Sequence, residues 1–468
     1  MLFGAKAPRG TGAAYDLSGV RVRVETGGDR SNAEFDFHNI EQIVGRELNP
    51  LVKDLLEIAS LIFIVDQHFP GNRSQFREIK ALIPVRQPEI WKKASRKLQE
   101  TIAFLTQDSY EFHFVTRRTD TLTKKAEGRS PEPGSVSCIA LLSGGLDSLS
   151  GAKRLLKKGE KPIFVSHRTR GGSHAAQKRV VPFLQSKFKQ QVLHCRVLVG
   201  RRNTKRAAMR LKASSGRLAV QFSRSFMYLS LAAALAIELD VKRVYMFENG
   251  PIAVNVAISE SRINTKTAHP RFLEHYRELI RILFGVKLDI QNPFLYDTKS
   301  QVVEKLLSDS DADDFTPSIK LATSCWQTSK VNIRAKEKGM ASKEFKGHHC
   351  GTCFPCILRR VALTSLKISP KDDDRYVTDV FKEYPAFYSG TRDETITTIA
   401  DLLRFSHDVR TFSDDELLLR YPDFSIAVPG VDIDRVIRTY RRQADEVIGC
   451  FNTLGNERLR RKFSSLLE

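Results

Sequence analysis

A doubly wound α/β sheet, preceded by an α+β unit and followed by a helical extension, is the architecture this 468-residue sequence predicts. Three observations predict it. From Cys138 to Gln291 apolar strand-like runs alternate with amphipathic helix patterns, the rhythm of parallel strands joined by crossover helices. The stretch Lys124 to Ser137 is polar, with two prolines and two glycines, and reads as a linker. From about residue 300 onward the pattern changes to a helix, a cysteine cluster and further helices. The implied divisions are 1–125 for the α+β accessory unit, 126–136 for the linker and 137–320 for the doubly wound domain. A cysteine segment at 321–366 and a helical extension at 367–468 follow.

The elements follow in order. Val20 to Val24 and Ala33 to Phe37 alternate as half-buried strands do. Leu51 to Phe63 and Glu89 to Leu105 have helical periodicity, and Tyr110 to Val115 reads as a strand. In this first unit Asp66, His68, Trp91 and Asp108 stand out by residue type, with core or surface duty the expectation for each. Beyond the linker, strands are expected at Cys138–Leu142, Pro162–Ser166, Val192–Val199, Arg243–Phe247 and Lys287–Gln291. Helices are expected at Leu146–Lys157, Gln177–Phe188, Phe222–Leu239 and Phe272–Phe284. Asp393 to Phe405 and Asp432 to Phe451 are the clearest C-terminal helices, and Asn456 to Glu468 ends basic and amphipathic.

Composition narrows the class. The chain is 41% hydrophobic and 28% charged, as globular proteins are, and too long for one ordinary core. Its longest largely apolar run, Leu229 to Ile237, is far short of a membrane span. With no compact signal-peptide pattern, the expected location is the cytosol. The net charge of +21 favours polyanions; local sites for a small anionic ligand and a solvated basic surface account for it, and nucleic acid is a compatible but unrequired partner. Six basic residues in twelve, Arg201 to Lys212, follow the third strand of the doubly wound domain and border its expected cleft.

The chemistry begins at Ser143-Gly144-Gly145-Leu146-Asp147-Ser148, between a buried-type strand and a helix start. Gly144 and Gly145 permit a tight turn and close approach to a ligand. The helix N-terminus presents unpaired N–H groups and partial positive charge. Ser143 and Ser148 add hydroxyls, and Asp147 suits helix capping or a magnesium ion. A Gly-Gly turn alone is ordinary; the whole hexapeptide in this context fits a pyrophosphate. Because ligands of such sheets sit at the carboxyl ends of strands, Glu248 and Asn249 after the fourth strand are candidates to read a substrate edge. Arg262, His269 and Arg271 are candidates for a carboxylate or α-phosphate, and Arg224 for the adenylate.

Cys350, Cys353 and Cys356 form C-x-x-C-x-x-C, with Cys325 a fourth thiolate donor. Four thiolates suit a structural zinc ion, although iron–sulfur ligation uses the same triple spacing. His348 and His349 are alternative ligands beside Cys350. Arg359 and Arg360 could offset the site's negative charge, while Cys138, Cys195 and Cys450 read as core thiols.

Loop and cysteines together resemble the PP-loop ATP pyrophosphatases, whose fold is of the adenine nucleotide α-hydrolase-like type, and within them the QueC family of 7-cyano-7-deazaguanine synthases. The resemblance covers roughly 137 to 366 and also rests on Arg224-Ser225-Phe226, Leu229 to Ala234, Asp297-Thr298-Lys299 and Ser324-Cys325. It implies ATP, Mg2+ and Zn2+ as cofactors, and cleavage of ATP between the α and β phosphates. It implies adenine binding at Val165, Ser166 and His167, mainly through backbone, and Lys299 against the phosphates. It also implies a 7-carboxy-7-deazaguanine-like substrate, adenylated and then attacked by an amine. The 24 residues between Cys325 and Cys350, the segment His167 to His174 and the flanking regions depart from the small enzyme. They look more like the enlarged QueC-like proteins of bacterial anti-phage systems, such as QatC and the type IV CBASS component. That likeness implies a partner protein's N-terminus as acyl acceptor. Housekeeping nitrile synthesis, PP-loop tRNA modification and a catalytically dead zinc-stapled binding protein are the alternatives.

Overall fold

The computed structural model describes residues 13–17, 20–24, 33–68, 77–117, 131–132, 134–168, 172–201, 222–258, 265–308, 315–326, 331, 349–368, 376–384 and 392–468. Among these, ten strands form one sheet: β1 Ala13–Leu17, β2 Val20–Val24, β3 Ala33–Asp36, β4 Glu78–Val85, β5 Ser109–Thr116, β6 Cys138–Leu141, β7 Pro162–His167, β8 Leu193–Arg201, β9 Arg243–Tyr245 and β10 Asp289–Gln291. The spatial order is β10-β9-β6-β7-β8-β3-β2-β1-β4-β5.

The half from β10 to β8 is parallel throughout. Its helices Leu146–Lys157, Gly172–Phe188, Arg224–Glu238 and Pro270–Phe284 lie where the α/β rhythm predicts them. Strands β6 and β7 are buried at every position, as a sheet covered on both faces requires. The strand order reverses at β6, which has β7 on one side and β9 on the other. The crevice beyond the carboxyl end of β6 is therefore the switch point where such sheets bind ligands, and Ser143 to Ser148 is the turn that leaves it.

The N-terminal strands continue this sheet. β3 pairs antiparallel with β8, Phe35 opposite Val199, and so joins residues about 160 apart in the chain. The chief hydrophobic core runs through both regions, from Leu55, Phe63 and Trp91 to Val197, Phe226 and Tyr276. β4, which no local signal marked, carries Pro84 yet pairs with both β1 and β5. Its alternating burial shows that packing there outweighs a weak strand propensity.

The C-terminal helices Arg392–Thr411 and Ile433–Leu454 extend three to six residues beyond the expected ends and pack on one another. Their apolar faces close over the helix Phe354–Ser365 and the short helix Gly250–Val254. No helix among the described residues is long and apolar enough to cross a membrane.

Candidate active site and metal centre

The loop after β6 is held from within and without. Gly144 has φ +85°, and a Cβ there would lie 3.0 Å from the Ala176 Cβ and 3.1 Å from the Gln177 backbone N, so glycine is required. The Gly144 N–H donates to Ser148 Oγ at 3.2 Å and the Gly145 N–H to Ser143 Oγ at 3.3 Å. The two hydroxyls meet at 3.1 Å. Leu146 anchors the helix start in the core. Gln177, which carried no sequence signal, is buried and donates to the carbonyls of Ser143 and His167 at 3.4 and 3.3 Å. It thereby ties the ends of β6 and β7 together.

Asp147, in the first turn of this helix, is buried and fully engaged. Lys299 Nζ donates to its Oδ1 at 2.7 Å and Asn249 Nδ2 to its Oδ2 at 2.9 Å. Lys299 opens the helix Lys299–Leu307, whose N-cap Thr298 forms a capping box with Gln301. Asn249 caps the helix Gly250–Val254, its side chain accepting from the Ile252 N–H. Both Asn249 side-chain atoms are thus committed to the protein.

Glu248 differs from its neighbour. Its backbone is pinned by Asn292, which accepts from the Glu248 N–H at 3.2 Å and donates to its carbonyl at 2.8 Å. Its carboxylate makes no hydrogen bond or ion pair among the described residues. The residue is half-buried. Burial first, and the Asp147 charge second, push its pKa up to about 7. Lys299 and Arg224 act in the opposite direction.

On β7, Val165 is buried, and Ser166 Oγ donates to the Leu142 carbonyl at 2.5 Å. His167 is buried among Phe63, Tyr228 and Val199, its Nε2–H donating to the Val199 carbonyl at 2.6 Å. Burial lowers its pKa to about 4 and keeps it neutral, with Nδ1 buried and unpartnered. Arg224 starts the long helix, its guanidinium 5.8 Å from the centre of the Tyr228 ring. The preceding Ser223 donates from backbone and side chain to Asp66, at 2.8 and 2.5 Å. Arg77 bridges Asp66 and Asp108, so both carboxylates serve to fix this helix start. Trp91 lies wholly in the core.

His269 is buried and Arg271 exposed, and both engage Phe104 of the N-terminal region. His269 caps the helix Pro270–Phe284, accepting from the Arg271 N–H at 3.1 Å, and packs on Phe104. Burial lowers its pKa to about 3. Arg271 extends over the same Phe104 ring at 5.9 Å. Arg262, most of the basic stretch after β8, His68 as a side chain, and His348 fall outside the described residues.

Cys325, Cys350, Cys353 and Cys356 are buried, and their sulfurs lie within 4.8 Å of one another. Two of the separations are 3.3 and 3.8 Å. Tetrahedral zinc with sulfurs at about 2.3 Å sets them about 3.8 Å apart, so the donor set fits that ion. Cys353 is the N-cap of Phe354–Ser365, and Gly351 has φ +80° with Thr378 O only 1.8 Å from where a Cβ would stand. His349 does other work: its Nε2 accepts from the Ser324 N–H at 3.2 Å. Arg359, fully buried, donates to the Ile319 carbonyl at 2.7 Å and to Ala322 O and Ser324 Oγ at 3.4 Å. Arg360 approaches Asp379 and the Tyr376 ring. Cys138, Cys195 and Cys450 are core thiols, their pKa values raised by burial to about 11 or 12.

The two sites are joined. The Thr323 N–H, two residues before Cys325, donates to the Gly144 carbonyl at 2.9 Å. The strap Ile319 to Cys325 therefore links the cysteine cluster to the loop Ser143–Ser148, a connection that no spacing in the sequence announces. No curated protein matches the chain. Residues 137–367, just under half of the chain, match the family described as queuosine biosynthesis protein QueC, and this match supports a QueC-like PP-loop fold and ATP-dependent synthase activity for that segment.

Proposed function

We propose that the chain activates a 7-deazaguanine carboxylate with ATP and transfers the acyl group to an amine. The observation that carries this reading is the loop Ser143–Ser148 at the sheet's switch point, with Lys299 2.7 Å from Asp147, inside the segment that matches QueC. A carboxylate oxygen attacks the α-phosphorus, the α–β phosphoanhydride bond breaks, and pyrophosphate departs against the loop amides and Lys299. The amine nitrogen then attacks the acyl carbon, the bond to AMP breaks, and the nitrogen gives up its proton. Adenylation is needed because a free carboxylate has no adequate leaving group.

Asp147 and the unpartnered Glu248 form the carboxylate pair that would hold a magnesium ion, and their mutual repulsion fits a cation between them. Bound there, magnesium supplies positive charge to the departing pyrophosphate. Four thiolates on the strap fit zinc in a structural role. Arg224 is assigned to the adenylate, and the backbone of Val165 to His167 to adenine. Of the two residues proposed for the substrate edge, Glu248 alone retains an uncommitted side chain.

The acceptor we favour is an amine on a partner protein, as in anti-phage conjugation, because residues 1–136 and 368–468 lie outside the family match. Incubation with ATP and 7-carboxy-7-deazaguanine should release AMP and pyrophosphate, and Ser148→Ala should lower turnover without unfolding. Formation of ADP instead overturns the reading. Mass spectrometry for a deazaguanine adduct on candidate partners distinguishes the protein acceptor from ammonia.

A further inference from the structure

The helix Ile433–Leu454 lies beyond the segment that matches the family, yet it reaches the supports of both partners of Asp147. On one side Thr298 Oγ1 donates to Glu446 Oε1 at 2.6 Å and accepts from the Gln301 N–H at 3.2 Å. Thr298 caps the helix whose first residue, Lys299, binds Asp147. On the other side Tyr440 Oη donates to the Pro251 carbonyl at 3.0 Å and accepts from the Val256 N–H at 3.1 Å. That bond steadies the short helix capped by Asn249, the second partner of Asp147.

From these contacts we infer that Glu446 is a positioning residue for the nucleotide site: it orients the Thr298 hydroxyl and thereby fixes the helix start that aims Lys299 at Asp147. The inference rests on the reading that ATP phosphates bind at the loop. A hydroxyl has one proton. Given to Glu446, that proton leaves the oxygen's lone pairs directed at the Gln301 N–H, which is the geometry a cap requires. Glu446 is half-buried beside this helix N-terminus; burial raises its pKa, and the Thr298 hydrogen bond and the helix dipole act in the opposite direction. Arg442, one turn earlier, donates to Gln301 Oε1 at 2.7 Å and holds the other half of the capping box. The C-terminal extension thus completes the ATP site in addition to covering apolar surface.

Calorimetric titration of the full chain with a non-hydrolysable ATP analogue tests this. Glu446→Ala should weaken binding about tenfold, the scale on which small misplacement of a binding group acts. Glu446→Gln, whose amide oxygen still accepts from Thr298, should recover most of it. In a Lys299→Met background Glu446→Ala should add less than about twofold, because the effect travels through Lys299. Thr298→Val should reproduce the alanine result and should not add to it, which serves where Glu446→Ala folds poorly. Unchanged affinity in Glu446→Ala, or an equal further loss in the Lys299→Met background, overturns the inference and leaves Glu446 a structural residue. Failure of the wild-type chain to bind the analogue removes instead the reading on which it rests.

Discussion

Asp147 and Glu248 are two carboxylates at one strand-end crevice with opposite surroundings. Asp147 receives an ammonium and an amide donor, whereas Glu248 receives neither and feels both burial and the Asp147 charge. Glu248 titrates near 7 as a result, well above its ordinary value. Between that ordinary value and about 7 the folded chain retains a proton that the unfolded chain has released. Its contribution to stability is therefore full at low pH and is lost as the pH rises through the folded value. Glu248→Gln replaces the carboxyl with a neutral group of the same shape. The variant and the wild type should melt alike near about pH 5, and the variant should be the more stable by about 2 kcal/mol near about pH 8. Thermal denaturation across that range reads the difference, and a gap that stays constant with pH would show that Glu248 is not held protonated.

Strands and helices of the parallel half were legible because each is a local pattern: β6 is a continuous apolar run, β7 is one as far as Val165, and Leu146–Lys157 begins and ends where its glycines and lysines say. The loop hexapeptide and the cysteine quartet were legible because their spacing is itself the chemistry. What lay hidden depends on distant contacts. Gln177, Asn292 and Thr323 are ordinary polar residues until folding sets them against Ser143, Glu248 and Gly144. Arg359 looked like a counter-charge for thiolates and instead gathers strap carbonyls. That strap has a consequence. Metal on the four sulfurs would fix Cys325, the backbone between Ile319 and Cys325 is shared with Arg359, and Thr323 would pass the constraint to Gly144. Removing zinc with a chelator, or substituting Cys353→Ser, should cost about one zinc per chain and also weaken binding of an ATP analogue severalfold. Metal analysis and calorimetry check the two effects, and full ATP affinity in a zinc-free, folded chain would separate the sites.

At the scale of the whole molecule, the segment that matches the family is not bounded by faces that water could cover. Its strand β8 is paired on one side by β7 and on the other by β3 from the N-terminal region. Val197, Val199, Phe226 and Met227 share a core with Leu55, Ile62 and Phe63. At the opposite end Ile357, Leu358 and Val361 meet Leu402, Val447 and Phe451, while Val254 and Val256 meet Phe405 and Tyr440. Each large apolar side chain returned to water costs about 1.5–3 kcal/mol. Exposing these nine within the segment therefore matches or exceeds the net stability of about 5–15 kcal/mol that an ordinary domain has in hand. β8 would also become an open edge, a template for association with another chain. The isolated fragment 137–367 should accordingly be recovered as aggregate or as a state without a cooperative melt, while the full chain unfolds cooperatively. Size-exclusion chromatography and calorimetry of the fragment decide this. A monomeric fragment that melts in one sharp transition and binds an ATP analogue would show that both flanking regions are additions to a self-sufficient core. An aggregating fragment would mean that the segment depends on its flanks to cover these apolar faces and the edge of β8.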